Sequence, residues 1–255
     1  MPISLPIVRP FEKPYDAWTF RDATDDEMSA SMKAGEFSVL SMTVKDVLRA
    51  RVANESQAAE YMAMRGVDGV DNALESHINH ALDIDPHFQN WLRAMPDVTP
   101  SALEDYQLEF PLDNYVPVDL AIRRHGAFLS AGQILFHGGD LGDMPNGDLI
   151  TARPLSATFC PQVALREAEW SGKAYESGRI CLYLLRICFA NTEAFVFNPK
   201  ASDKGNEKEV LLASGTRLSL RSARIVRDDY RVHRAVGMHT EAKTAPFYIC
   251  EVDVF

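Results

Sequence analysis

Residues 209–220 read Glu209-Val210-Leu211-Leu212-Ala213-Ser214-Gly215-Thr216-Arg217-Leu218-Ser219-Leu220, which are two short strand-like runs separated by turn residues. Runs of the same kind, rich in β-branched or aromatic residues, recur at 133–137, 179–185, 194–197 and 247–252. A single predicted helix, from Pro161 to about Trp170, interrupts them. The second half of the chain is therefore predicted to form a largely antiparallel sheet.

The first half has helical spacing of its apolar residues. Val44, Val47, Leu48 and Val52 would share one helix face, and further apolar stripes follow over 56–65, 70–82 and 88–95. Thr99-Pro100 is typical of a helix start, and a last helix is predicted from Pro117 to about His125. Residues 1–40 are mixed and broken by prolines, which predicts an irregular segment. The predicted fold class is α+β, with an irregular segment 1–40, a helical lobe 41–126 and a β-rich part 127–255. We expect 41–255 to form one unit.

Composition limits the classes of partner. The 255 residues carry 26 Lys and Arg against 36 Asp and Glu, a formal charge of -10 that argues against binding to nucleic acid or to anionic membranes. No apolar run approaches the roughly 18 residues that span a bilayer. The proline-broken start does not resemble a secretion signal, which predicts synthesis in a cytoplasm and, for any export, a leaderless route.

Cysteine and histidine spacing predicts no metal site. Cys160, Cys181, Cys188 and Cys250 show no CxxC pattern and fall in or beside apolar runs, so we expect reduced, buried thiols. His77 and His80 have helical spacing but no nearby third ligand, which favours a solvated helix face.

A pair of glutamates, Glu207 and Glu209, stands at the entry to the strand-like run 209–212. If both residues are extended, their side chains project to the same side of the strand, so two carboxylates face one cleft. Crowded like charges raise the pKa of one group, which then exchanges a proton while the other stays ionised. The alternative is two solvated glutamates on an edge strand. The polar loop before them, 198–206, is either a connector or a segment that meets a substrate.

Two further segments carry polar groups at strand ends. His137 ends an apolar run and is followed by Gly138 and Gly139, where the backbone is open to a ligand, although a turn explains the same residues. Ser156 and Thr158 have alternate spacing, so their hydroxyls face one way and could orient a carboxylate. They could instead cap the helix that starts at Pro161.

The order of these segments resembles the ADP-ribosyltransferase toxin superfamily: His-Gly at 137–138, Ser-Ala-Thr at 156–158, and Glu-Lys-Glu-Val-Leu-Leu at 207–212 with Ser-Gly-Thr at 214–216. The resemblance covers roughly residues 117–255. It implies an ADP-ribosyltransferase-type sheet and NAD as a co-substrate, with no metal.

The resemblance also implies roles for six residues. Glu209 is similar to the catalytic glutamate, and Glu207 to the residue that deprotonates a target arginine. Ser156 would hold Glu209 in place, and Thr158 stands where the family's third polar residue lies. Gly138 would offer its backbone to the nicotinamide amide, and His137 would contact the NAD ribose. The implied partners are a target protein and, as a further possibility, a host or inhibitor protein, as for a bacterial or phage effector.

Two departures from the pattern bear on the acceptor. Arginine-specific members usually have arginine where this chain has His137, and the middle segment reads Ser-Ala-Thr instead of Ser-Thr-Ser. A neutral histidine offers less to a pyrophosphate than a guanidinium does. Two alternatives therefore stay open: NAD hydrolysis, in which water replaces the acceptor, and a non-catalytic module of the same fold that binds NAD or a protein.

Overall fold

The computed structural model describes residues 4–36, 38, 42–65, 71–142, 144, 147–198 and 208–255. The strands, in chain order, are β1 Ser4–Leu5, β2 Tyr15–Asp22, β3 Thr43–Val52, β4 Ala127–Leu129, β5 Ile134–Gly138, β6 Asp148–Ile150, β7 Leu155–Thr158, β8 Ile180–Ile187, β9 Thr192–Val196, β10 Glu209–Leu212, β11 Arg217–Val236 and β12 His239–Val254. The helices are α1 Asp25–Ala34, α2 Glu55–Arg65, α3 Asn72–Ile84, α4 Pro86–Ala94, α5 Ser101–Glu109, α6 Val116–His125, α7 Pro161–Glu169 and α8 Lys173–Ser177, with a 3-10 turn Trp170–Gly172 before α8. The fold class is α+β, as predicted.

One large sheet runs through the second half of the chain in the order β1-β4-β9-β10-β7-β5-β8-β12-β11-β6. It is mostly antiparallel: among the strand pairs of the described residues, only β1–β4 and β8–β12 are parallel. Its two halves meet at the β5–β7 pair, where the register of the described residues joins Phe136 to Thr158 alone. The centre of the sheet is therefore a narrow junction between two more extensively paired halves.

The helices pack against this sheet around a shared aromatic cluster. Phe159 directly follows β7, and its ring lies 5.6 Å from that of Phe88 and 5.3 Å from that of Trp91, both on α4. Each of the three side chains is at most 1% exposed. Burial of aromatic side chains of this size dominates core stability, so the helical part and the sheet share one core.

Helix prediction is confirmed between residues 55 and 125, where α2 to α6 place their apolar stripes in the core. It is wrong for 43–52, which forms β3 and pairs with β2. Of the four residues in the proposed stripe, only Val52 is buried, so their spacing does not mark a buried helix face. Three of them are valines, whose branched side chains favour a strand once a partner strand supplies the hydrogen bonds.

The irregular structure predicted for residues 1–40 is also wrong over β1, β2 and α1. The buried amide of Gln133 accepts a hydrogen bond from Val8 N at 2.9 Å and donates one to Val8 O at 3.2 Å, which fixes the segment beside the sheet. Helix α1 begins with a capping box in which Thr24 and Glu27 bond each other's backbone N–H.

The strands at 133–137, 179–185, 194–197 and 209–212 are confirmed with small shifts at their ends. The two C-terminal strands are much longer than expected, because β11 and β12 extend as a ribbon whose far part is exposed. Pro246 lies within β12 at a register shift between the pairs Arg227–Phe247 and Tyr230–Ala245. Its missing N–H is tolerated there, since a bulge leaves a residue outside the ladder.

The predicted thiol state is confirmed for three cysteines: Cys160, Cys181 and Cys250 are free and buried, whereas Cys188 is free and partly exposed. No helix among the described residues is long and apolar enough to cross a bilayer.

Candidate active site

Glu209 is the first residue of β10, an internal strand between β9 and β7. Its backbone is held on both sides, since it pairs with Thr158 of β7 and its carbonyl accepts a hydrogen bond from Phe197 N at 3.1 Å. The residue is only 7% exposed. A solvated glutamate on an edge strand is therefore the wrong description of Glu209, and its buried carboxylate needs polar partners from the protein.

One such partner comes from the helical part of the chain. Gln107 on α5 is 9% exposed, and its Nε2 donates a hydrogen bond to Glu209 Oε2 at 2.6 Å. A distance of 2.6 Å is at the short end of the range for N–H···O hydrogen bonds in proteins. The sequence carries no sign of this contact, because the two residues are 102 positions apart and Gln107 lies in an ordinary helical stretch.

The register places Ser156, Thr158 and Glu209 on one face of the sheet. Thr158 lies opposite Glu209, and Ser156 lies opposite Leu211, two residues further along β10. Thr158 Oγ1 also accepts a hydrogen bond from Cys160 N at 3.1 Å, which forms a turn just before α7. The capping interpretation is wrong, because the N-cap of α7 is Cys160 and no side chain among the described residues caps this helix. The role predicted for Ser156, holding the Glu209 carboxylate, stays a prediction.

His137 lies at the junction of the two sheet halves. Its Nδ1 is 2.7 Å from the carbonyl oxygen of Ser156. Because a carbonyl only accepts, Nδ1 carries the proton and the neutral ring presents Nε2 as an acceptor. The pKa of His137 is lowered to about 4, mainly by burial; the hydrogen bond to Ser156 opposes this shift, and the charges of Lys173 and Arg153 add to it. His137 is therefore a neutral acceptor at pH 7.

Gly138 is a glycine because of helix packing. A Cβ built at this position would lie 1.5 Å from the carbonyl oxygen of Ala164 on α7, so no side chain fits. This close approach brings α7 onto the end of β5 and explains the residue type without a ligand. The predicted contact between the Gly138 backbone and nicotinamide stays a prediction.

Glu207 lies outside the described residues, and so does most of the loop before it. The premise that residues 207–209 form one extended segment is wrong at Lys208, whose φ is 48°. The simple alternation of side chains therefore does not carry across this position. A lysine in the left-handed region costs about 1 kcal/mol or more, and such strain concentrates at functional sites.

Two further groups lie near the predicted site residues and were not predicted. Tyr106 precedes Gln107 on α5, and its pKa is raised mainly by burial and then by the charge of Glu209. Arg153 precedes β7, with its guanidinium 5.0 Å from the centre of the Phe110 ring. Its charge acts on both Tyr106 and His137. A cation three residues before Ser156 was the available sequence signal.

A cavity of about 280 Å³ lies nearby along β8 and β12, with Arg179, Cys181, Tyr183, Tyr248 and Cys250 among its lining residues. None of the five predicted site residues within the described ranges lines it. The predicted absence of a metal site is not tested by the geometry, although the described ranges contain no group of three His, Cys, Asp or Glu side chains arranged to bind a metal.

No protein-family model matches the sequence, and no curated protein matches it either. Solved structures do align with the chain. C3larvin toxin, an ADP-ribosyltransferase from Paenibacillus larvae, aligns at 12% identity and a TM-score of 0.38 over 67% of this chain and 94% of its own. Vis toxin, an ADP-ribosyltransferase from Vibrio splendidus, aligns at 12% identity and a TM-score of 0.34 over 92% and 88%.

The enzymatic component C2-I of the C2-toxin from Clostridium botulinum aligns at 10% identity and a TM-score of 0.37, over 64% of this chain. The aligned part spans 45% of the length of C2-I.

Proposed function

We propose that this protein is an NAD-dependent mono-ADP-ribosyltransferase that modifies arginine on a target protein, with Glu209 as its catalytic carboxylate. One observation carries the proposal: a carboxylate buried to 7% exposure stands at the start of an internal strand, on the face that also bears Ser156 and Thr158. A buried carboxylate is costly for a fold to retain. Its strand-end position beside a junction in the sheet suits a group that meets a substrate.

The chemistry proposed for Glu209 is charge stabilisation. When the bond between ribose C1′ and the nicotinamide nitrogen breaks, its electron pair leaves with nicotinamide and positive charge develops on the ribose. A fixed carboxylate in a water-poor site stabilises that charge more strongly than an exposed one. The same logic governs glycosidic cleavage in general. The acceptor nitrogen then bonds to C1′ and releases one proton.

The polar groups near the sheet junction fit the other parts of NAD. The neutral His137 ring can accept a hydrogen bond from a ribose hydroxyl through Nε2. The side chains of Arg153 and Lys173 are exposed, and the charges of both act on His137. Guanidinium and ammonium groups bind pyrophosphate well, so these two cations could supply what a histidine in the first motif lacks.

The acceptor is the finer part of the proposal and rests on Glu207. In this role the Glu207 carboxylate would receive the proton that a target guanidinium loses when it attacks C1′. We extend the proposal to an effector delivered by a bacterium or phage into the cell that holds the target protein. NAD hydrolysis is the alternative, in which water attacks C1′ and Glu207 is dispensable.

The test uses purified protein, a cell lysate and NAD labelled on its adenylate part. Both labelled protein and free nicotinamide are measured for wild type and for Glu209→Gln. Glu193→Gln is the matched control, because Glu193 lies on the neighbouring strand β9 and pairs with the exposed Arg123. We expect Glu209→Gln to lose both signals by about 100-fold or more and the control to keep them. Equal activity in wild type and Glu209→Gln would refute the catalytic role.

The same assay separates the alternatives with Glu207→Gln. Loss of labelled protein with retained nicotinamide release supports arginine transfer, whereas loss of both together counts against the acceptor role. Nicotinamide release without any labelled protein in wild type would favour the hydrolase. A wild type that binds NAD without either product would favour a binding module.

A further inference from the structure

Gln107, the hydrogen-bond partner of Glu209 on α5, is a candidate for a residue that acts through the proposed catalytic carboxylate. Gln107 donates to Glu209 Oε2 at 2.6 Å, and both side chains are buried. A carboxamide and a carboxylate that bury each other's polar atoms satisfy one hydrogen-bonding requirement of each. The contact therefore fixes the position of one carboxylate oxygen.

Helix α5 is anchored independently of this contact. Leu103 is fully buried in the core, and the Tyr106 hydroxyl donates to the Pro154 carbonyl at 3.3 Å, just before β7. The Tyr106 ring also makes edge contacts with Phe110 and Tyr115 at 5.4 and 6.2 Å between ring centres. Removing the Gln107 amide should therefore leave the helix in place and remove the hydrogen bond to the Glu209 carboxylate.

The backbone of Glu209 is fixed by β7 and β9, so its remaining freedom lies in the side-chain torsions. A donor from α5 restricts those torsions and keeps the negative charge pointing in one direction. Catalytic groups need such restriction, since a displacement of about 1 Å can cost roughly 100-fold in rate.

We propose that Gln107 is the positioning residue of Glu209: its carboxamide holds the carboxylate, in the ionised form, in the orientation that stabilises the cleaving ribose. This inference rests on the proposed function, because it names how the same site is kept active. It also explains why a residue of the helical part belongs to a site otherwise built on the sheet.

The test compares Gln107→Leu, Gln107→Glu and the matched control Gln162→Leu. Gln162 is also a buried glutamine that donates to a glutamate, but it lies on α7 and its partner, at 2.7 Å, is Glu75 on α3. For Gln107→Leu we expect kcat for nicotinamide release to fall about 100-fold with little change in KM for NAD. Gln162→Leu should lose stability and keep its kcat.

The variant Gln107→Glu gives a readout that a purely structural role would not move. Two adjacent carboxyl groups share one proton, and the protonated partner can donate to Glu209 as the amide does. Activity should therefore persist at mildly acidic pH and fall as pH rises and the shared proton is lost, whereas Gln107→Leu stays low throughout. If both Gln107 variants keep the kcat and the pH profile of the wild-type protein, the inference is overturned.

A folding measurement separates failure of this inference from failure of the proposed function. In a double-mutant cycle of Gln107→Leu and Glu209→Leu, each of which removes one side of the hydrogen bond, we expect the folding equilibrium constants to show a coupling of roughly tenfold or more. If the wild-type protein cleaves no NAD, the proposed function is refuted. The coupling between the two substitutions in the folding measurement would then still decide whether Gln107 holds Glu209. Additive effects in the cycle would overturn the positioning role.

Discussion

His137 should make the stability of this protein depend on pH in a way that a single substitution removes. Burial lowers the pKa of its ring from 6.5 to about 4 in the folded state. Between these two values the unfolded chain binds a proton that the folded protein does not, so stability falls as pH drops below about 6.5. At pH 7 both states hold His137 neutral, and almost none of this effect is present.

The magnitude follows from the two pKa values. If His137 is fully protonated in the unfolded chain and neutral in the folded protein over the whole interval from pH 6.5 to pH 4, the free energy of unfolding falls by about 3 kcal/mol. At pH 5 the unfolded histidine is largely charged and the folded one largely neutral, which corresponds to about 2 kcal/mol. Wild type should therefore lose about 2 kcal/mol of unfolding free energy between pH 7 and 5 through this residue alone.

The assay is urea unfolding at pH 7 and pH 5 for wild type and His137→Asn. Asparagine does not titrate, and its amide can still donate to the Ser156 carbonyl. Since all other titrating groups are common to both proteins, the difference between their pH dependences isolates His137. His239→Asn, an exposed histidine at the start of β12, should follow wild type and serves as the control. Identical pH dependence in wild type and His137→Asn would refute the reasoning, as would a His137 resonance that titrates near 6.5.

Two further predictions concern the residues around His137. Gly138→Ala places a Cβ 1.5 Å from the Ala164 carbonyl oxygen, so the unfolding free energy measured in urea should fall by about 3 kcal/mol or more. Gly142→Ala meets nothing within 4 Å and carries only the strain of a φ of +74°, about 1 kcal/mol; equal losses in the two variants would contradict the packing explanation. Arg153→Ala should raise KM for NAD about tenfold with kcat nearly unchanged, because it removes a contact made equally in ground and transition state. The exposed Arg93 is the control, and an unchanged KM in Arg153→Ala would exclude a phosphate contact.

The part of the fold that the sequence predicts correctly is the part in which pattern and burial coincide. Helices α2 to α6 bury their apolar stripes, so apolar residues spaced three and four positions apart correctly mark the buried face of each helix. Strand β3 fails this condition: Val47 and Leu48 are exposed, Val44 is only partly buried, and Val52 alone of the four lies in the core, so their spacing does not mark a buried face. The β11–β12 ribbon is missed for a related reason: residues 221–225 of β11 and 239–244 of β12 are all exposed, and such stretches need no apolar alternation.

The candidate site divides in a similar way. Glu209, Ser156 and Thr158 lie on adjacent strands, and short motifs on neighbouring strands can be recognised from the residues alone. Gln107 cannot be found in this way, since its role depends on a contact across 102 residues that only the packed fold creates. A local sequence pattern carries no information about which helix residue will face a given carboxylate.

The contact between Gln107 and Glu209 also bears on how the chain is divided. A buried carboxylate stripped of its donor pays a desolvation cost of about 1 to 3 kcal/mol, so the β-rich part alone would hold Glu209 in a worse environment than the whole protein does. The aromatic contacts of Phe159 with Phe88 and Trp91 join the same two parts through the core. We therefore propose that residues 41–255 act as one catalytic unit. In that unit the sheet fixes the backbone of Glu209, and the helical part determines the orientation of its carboxylate.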